Sequence, residues 1–324
     1  MKAIVCHAFG DPEGLVLQDV PEPVPGEGEV LIRVRATALN FFDTLIIRGK
    51  YQHKPPLPFS PGGEAAGEIE RLGPGVTGLE AGERVMAHLR WNGCREKTVV
   101  GAGSVVPVPP EVSDDVAAGL TIGYGTALHG LKDRGRLASG ETVAVLGASG
   151  GAGLAAVAIA KAFGARVIAV ASSPEKLEVC RAHGADALID YSMGDLRDML
   201  KDATDGRGVD IVYDCVGGSQ TERALRALAW GGRLLVIGFA SGEIPEIPLN
   251  LPLLKSCAIV GVQFGRFAEL FPDAHRENMR QVLAWCAEGR LKPHVQKVFA
   301  LEDTVRALQL IDSRKVVGKI VVRP

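Results

Sequence analysis

Seven residues, Gly147-Ala-Ser149-Gly150-Gly151-Ala152-Gly153, follow directly on the apolar run Thr142-Val-Ala-Val-Leu146. A strand that enters a glycine turn and then a helix brings unpaired N–H groups and the positive end of a helix dipole to one point, which suits an anion. From Ala148 to Gly153 the spacing is that of G-x-G-x-x-G with alanine in the first slot. The turn, the close approach to a pyrophosphate and the packing of helix on sheet each need a small residue. A ligand-free tight turn is the plainer reading of the loop alone. The strand and helix around it, and the βα-type elements after it, favour a dinucleotide held by Ser149, Gly150, Gly151 and Gly153.

The second strand ends in Ala171-Ser172-Ser173-Pro174-Glu175-Lys176. NAD-binding chains commonly place an acid at this point for the ribose hydroxyls. Here two hydroxyls and a lysine one turn on suit a 2′-phosphate, so the expected cofactor is NADPH. Ser173 also reads as the N-cap of a helix begun by Pro174, Lys176 as a solvated surface lysine, and Glu175 could turn toward the ribose.

The elements that must position these residues fall into two textures. To about residue 115 the chain reads as short strands (30–36, 66–72, 84–88, 97–100 and 104–108) separated by Gly and Pro, as in a small β-barrel or sandwich. After Pro109-Pro110, strands at 142–146, 166–171, 187–189, 210–213, 233–237 and 257–262 alternate with helical stretches, the pattern of a parallel sheet. Beyond Phe264 come a helix over 276–288, a strand at 296–299, a helix from Asp303 and a strand at 319–322. These are too few for a third domain and are expected to complete the first one, with a cleft between the two.

With 324 residues, 47% hydrophobic and 23% charged residues, the chain has the composition of a soluble two-domain protein. No apolar run reaches the roughly 18 residues of a membrane span. The amino end shows no export signal, so the expected location is cytoplasmic. Six scattered cysteines form no Cys-x-x-Cys pair, and a net charge of −2 does not favour nucleic acid.

Gly62-Gly63-Glu64-Ala-Ala-Gly67, Gly123-Tyr124-Gly125-Thr126-Ala127, the 148–153 loop, Tyr213-Asp-Cys-Val216-Gly217 and Gly318-Lys319-Ile-Val-Val together resemble the zinc-independent quinone oxidoreductase (zeta-crystallin-like) branch of the medium-chain dehydrogenase/reductase superfamily. The resemblance implies an α/β fold: a discontinuous GroES-like β-barrel catalytic domain (1–120 and 264–324) and a Rossmann NADPH-binding domain, a doubly wound parallel sheet (121–263). It also implies a homodimer through the last Rossmann strand, 257–262. Zinc members carry a cysteine in the segment matching 38–43 and a histidine before the glutamate matching Glu64. Asn40 and Gly63 stand there instead, so no metal is expected.

By the same resemblance, Thr126 touches the nicotinamide, Tyr191 lies near the adenosine ribose, and Val216, Phe239 and Arg314 approach the cofactor. Phe239 as core, Tyr191 as a strand-end aromatic and Arg314 as an exposed helix-end cation are the plainer alternatives. Hydride delivery without a Lewis acid requires a conjugated acceptor: a quinone, or an α,β-unsaturated carbonyl compound or enoyl thioester in the alternative enoyl reductase reading. Asn40 offers an amide donor, and Tyr51 either donates a proton or lines the pocket. Asp43 and Arg48 are expected to pair, Glu64 to bond nearby backbone, and His129 to be a packed histidine. A non-enzymatic NADPH-binding or RNA-binding protein is the reading from another class.

Overall fold

In the computed structural model, which describes residues 1–324, the chain separates into two compact units. One comprises Met1–Ile122 and Gly265–Pro324, the other Gly123–Phe264. No helix is long and apolar enough to cross a membrane.

The first unit opens with β1 (Lys2–Val5) and β2 (Val16–Asp19), an antiparallel pair. The long strand β3 (Glu29–Leu39) leads into a short helix, α1 (Phe41–Ile46). Then come β4 (Glu64–Leu72), β5 (Arg84–His88), β6 (Lys97–Gly101), β7 (Val105–Pro107) and helix α2 (Asp114–Ala118). Alternation holds in the middle of β3: Ile32, Val34 and Ala36 are buried, whereas Arg33 and Arg35 face water and pair with Glu70 and Glu68 on β4. Gly67 permits the close β3–β4 contact, since a Cβ there would stand 2.1 Å from the Arg33 carbonyl oxygen.

The second unit runs α3 (Gly123–Leu128), β8 (Thr142–Leu146), α4 (Gly151–Ala162), β9 (Arg166–Ala171), α5 (Pro174–Ala182) and β10 (Ala187–Asp190). It continues with α6 (Leu196–Asp202), β11 (Val209–Asp214), α7 (Ser219–Arg226), β12 (Leu228–Val236), α8 (Asn250–Lys255) and β13 (Ala258–Gly261). All neighbours are parallel in the order β10-β9-β8-β11-β12-β13. This is the doubly wound order in which the sequence runs outward from the first strand in both directions. Its central strands are mostly apolar, as a sheet covered on both faces requires; every residue of β8 is buried. A π-helical turn over His129–Arg134 follows α3, a feature that hydrophobic spacing does not disclose. His129 is buried there, its Nδ1 2.9 Å from Asp133 Oδ2, as a packed histidine would be.

The chain then returns to the first unit through α9 (Phe264–Leu270), α10 (Pro272–Ala287), β14 (Val295–Ala300), α11 (Thr304–Asp312) and β15 (Lys319–Arg323). The helix expected from Arg276 thus begins at Pro272, whose ring suits a first helical turn, and the short α9 precedes it. β15 inserts between β14 and β3, with Ile320 opposite Leu39 and Val322 opposite Thr37. That register carries Lys319 to the end of β3, where Asn40 begins α1.

Candidate functional site

In the second unit the loop after β8 is made by withholding side chains. Gly147 has a φ of 70°, and a Cβ on it would lie 2.9 Å from Val216 Cγ2. Gly153, in the first turn of α4, is closer still: its Cβ would stand 2.1 Å from the Gly147 carbonyl oxygen. Gly150, the N-cap, is less crowded: a Cβ built there would meet the Gly147 carbonyl oxygen at 3.5 Å, an ordinary van der Waals contact. The first N–H groups of the 12-residue α4, from Gly151 onward, have no helical carbonyl to meet, and the helix dipole points its positive end at them. Ser149 is buried beside them. Such a small, electropositive, N–H-lined cradle fits a pyrophosphate.

Two hydroxyls and an ammonium gather at the tip of β9. Lys176 Nζ donates to Ser172 Oγ at 3.3 Å. Ser173 Oγ accepts a long bond, 3.5 Å, from the Lys176 N–H, so Ser173 is the N-cap of α5. Glu175 is turned toward the same helix start, where its own N–H and Ser173 hold its carboxyl below the usual range. It is therefore already engaged, and the exposed face of the cluster is hydroxyl and ammonium. Tyr191 is half-buried just after β10, its N–H bonded to the Ala171 carbonyl at 3.2 Å, with its side chain against the core of this unit.

At the ends of β11 and β12, Asp214 pins the turn that presents Val216. Its Oδ1 accepts from the N–H groups of Val216 (2.8 Å) and Gly217 (3.0 Å), and its Oδ2 accepts from Thr221 Oγ1 at 2.5 Å. Gly217 lacks a side chain where one would meet Phe239 Cδ1 at 2.8 Å, so the half-buried Phe239 lies against this turn. Thr126 is buried on α3. The loop, Val216 and Phe239 thus meet at one end of the sheet, and Ser172, Ser173, Lys176 and Tyr191 stand at the same ends of β9 and β10. Asp214 was not singled out by sequence reasoning, although the motif Tyr213-Asp-Cys-Val216-Gly217 contains it.

In the first unit the junction of β3 and α1 holds a buried polar network. Asp43 accepts from the backbone N–H of Asn40 (2.8 Å) and of Gly62 (2.9 Å). Lys319 Nζ donates to Asn40 Oδ1 and to Glu64 Oε1, both at 2.6 Å. Asn40 Nδ2 donates to the same Glu64 Oε1 at 2.9 Å, and the Ile122 N–H donates to Glu64 Oε2 at 2.7 Å. Asp43 and Glu64 have no exposed surface, and Lys319 almost none. Burial pushes the Asp43 carboxyl up to about 7, against the pull of its two N–H donors and of Lys319. Tyr51 packs its ring 5.4 Å from that of Phe42; burial, and then the Asp43 charge, push its phenol up.

Two expectations change here. Asp43 and Arg48 do not pair: Asp43 points inward to backbone donors, while Arg48 binds Asp312 with two nitrogens (3.1 and 2.6 Å) and Asp11 at 2.8 Å. Arg48 therefore ties α1 to α11. Glu64 bonds backbone at Ile122, but its other oxygen serves two side chains, and Lys319 was overlooked as their partner. Arg314 sits just past α11 with a φ of 57°, in the first unit.

Residues 26–162 match the family described as alcohol dehydrogenase GroES-like domain, and residues 151–288 that described as zinc-binding dehydrogenase. The quinone oxidoreductase-like protein 2 homolog of Nematostella vectensis is 39% identical over 99% of this chain and 88% of its own length. Two solved structures cover 100% of both chains. Escherichia coli quinone oxidoreductase complexed with NADPH is 29% identical with a TM-score of 0.94, and a mycobacterial protein complexed with NADPH is 31% identical with a TM-score of 0.93. The zinc in one family description finds no matching donor set. A side chain on Gly63 would place its Cβ 2.3 Å from Phe42 Cζ, Asn40 is bonded to an ammonium, and no three His, Cys, Asp or Glu residues are grouped to hold a metal ion.

Proposed function

Because the chain belongs to the quinone oxidoreductase-like family of the medium-chain dehydrogenase/reductase superfamily, we propose that it is an NADPH-dependent reductase of quinone-type conjugated acceptors and works without a metal. The observation that carries this reading is the pairing, on one parallel sheet, of the glycine loop with a hydroxyl and ammonium cluster at the next strand tip. When bound, NADPH supplies the hydride. The loop N–H groups hold the pyrophosphate, Ser172, Ser173 and Lys176 hold the 2′-phosphate, and Tyr191 lines the adenosine end.

Thr126, Val216 and Phe239 bound the nicotinamide end. Asn40 donates its amide N–H to a ribose or acceptor oxygen. The phenol of Tyr51, raised by burial, stays protonated through neutral pH and serves as a hydrogen-bond donor and pocket wall. Since no metal polarises the acceptor, conjugation within the acceptor must spread the incoming charge. That requirement is what selects a quinone over a simple ketone.

The working unit is a homodimer joined along β13. This strand pairs only with β12, its Ile259 is exposed, and so are Leu253 and Leu254 of the preceding α8, a combination that a second copy would cover. Six free thiols suit a reducing cytoplasm.

The test follows NADPH oxidation by the purified protein with 1,4-naphthoquinone and with crotonyl-CoA at equal concentration. Faster turnover of the quinone is the expected result. Preference for the thioester would make the protein an enoyl reductase, and tight NADPH binding without turnover of either would favour a binding role.

A further inference from the structure

The two ends of an asparagine amide have nearly the same shape, and only their partners fix which end is the carbonyl. Asn40 lies between a group that can only donate and a group that, ionised, can only accept. The Lys319 ammonium is 2.6 Å from Oδ1, and the Glu64 carboxylate is 2.9 Å from Nδ2. Turning the amide over would set N–H against ammonium and C=O against carboxylate. Both contacts would be repulsive, so a single orientation remains.

The partners are themselves held. Glu64 Oε1 accepts from Lys319 and Asn40, and Oε2 from the Ile122 N–H. Lys319 is set by the β15–β3 register and by its own N–H, which donates to the His294 carbonyl at 2.9 Å. Its stem passes close to Gly119, where a Cβ would lie 3.2 Å from Lys319 Cε and 3.3 Å from Cγ. Of the two Asn40 amide protons, one goes to Glu64. The other meets only the Ala38 carbonyl at 3.4 Å, a long contact, and is the polar handle left for a bound molecule.

We propose that Lys319 and Glu64 are positioning residues that hold Asn40 as a one-way hydrogen-bond donor, so that the group it recognises must be an oxygen acceptor. The ammonium on the carbonyl end also polarises the amide and strengthens its remaining N–H. The inference rests on the reading above that Asn40 touches the bound cofactor or the hydride acceptor. A ribose hydroxyl and an acceptor carbonyl share the required chemistry.

The test compares Asn40→Ala, the double variant Lys319→Met/Glu64→Gln and the triple variant. Removing both charges together leaves neither one buried alone. Three quantities are read: the Asn40 side-chain amide signals in 1H–15N spectra, identified by their loss in Asn40→Ala; the NADPH Kd from fluorescence; and kcat with KM for 1,4-naphthoquinone. In the double variant the dispersed, slowly exchanging Asn40 amide pair should collapse to a fast-exchanging one while the protein stays folded. In the same variant kcat should fall about tenfold if the partner is the acceptor carbonyl, or the NADPH Kd should rise about tenfold if it is the ribose. Adding Asn40→Ala should then cost less than about twofold more. The proposal is overturned if the double variant keeps the Asn40 signals and wild-type constants while Asn40→Ala alone is impaired. If Asn40→Ala changes neither Kd nor kcat, the functional reading of Asn40 falls, and this inference with it.

Discussion

The glycine loop of the Gly123–Phe264 unit and the Asn40 network of the other unit are built in opposite ways. The loop is made of backbone: side chains are withheld at Gly147, Gly150 and Gly153, and its chemistry comes from N–H groups that any sequence possesses. The network around Asn40 is made of side chains, a buried ammonium, a buried carboxylate and an amide that hold one another in place, with the buried Asp43 carboxyl fixing the backbone beside them. A backbone site fails when something is added to it. A side-chain network fails when one member is removed and another is left without its partner.

Lys319→Met should therefore be the most damaging single change, because Glu64 would be left buried without its counter-ion, at a cost of about 3–5 kcal/mol in urea unfolding. Adding Glu64→Gln should return most of that loss; an unchanged midpoint for Lys319→Met would break the contrast. On the loop side, Gly153→Ala should cost about 1–3 kcal/mol, since the added carbon meets backbone that cannot swing away. Gly150→Ala should alter stability by less than about 0.5 kcal/mol and still weaken NADPH binding, because its Cβ would take the space the phosphate needs. Calorimetry of the two alanine variants, with and without NADPH, separates the packing glycine from the binding one.

A smaller effect should appear with pH. Folded Asp43 keeps its proton up to about 7, whereas the unfolded chain releases it near 3.9. Its contribution is therefore complete below pH ~4, falls as pH rises toward ~7 and is level above that. His88 and His275, kept neutral by burial down to about 4, act in the opposite direction. The informative quantity is thus wild type minus Asp43→Asn, which should decline across this window; a flat difference would mean that Asp43 is ionised throughout. The smallest effect is expected for Tyr51→Phe. If the phenol is wall and donor, kcat should fall less than about threefold, and a loss of about a hundredfold would make it the general acid.

The same contrast explains what could be read from the sequence. The loop and the β9 tip are runs of consecutive residues, and a strand–turn–helix frame is a local pattern. The Asn40 network joins Asn40 to Glu64 and Lys319 across 24 and 279 positions, and only the β3–β4 and β15–β3 registers bring them together. Gly62-Gly63-Glu64 and Gly318-Lys319 were visible as motifs, but nothing local indicated that they meet. Arg48 was misassigned for a related reason. Asp43 is five positions away, yet it turns inward to Gly62, while Arg48 reaches Asp312 across 264 positions. The return of the last strands to the first unit was legible because the elements beyond Phe264 were too few to stand alone. The short α9 and the π-helical turn after α3 leave no comparable mark in the hydrophobic pattern.

The most direct test of the central claim is the affinity of the protein for NADPH and for NADH, measured by titration calorimetry on wild type and on Ser172→Ala/Lys176→Ala. The account predicts that wild type prefers NADPH by at least about tenfold, and that the double variant loses this preference through weaker NADPH binding alone. Equal affinity for the two cofactors in wild type, or an equal loss of both in the variant, would contradict it.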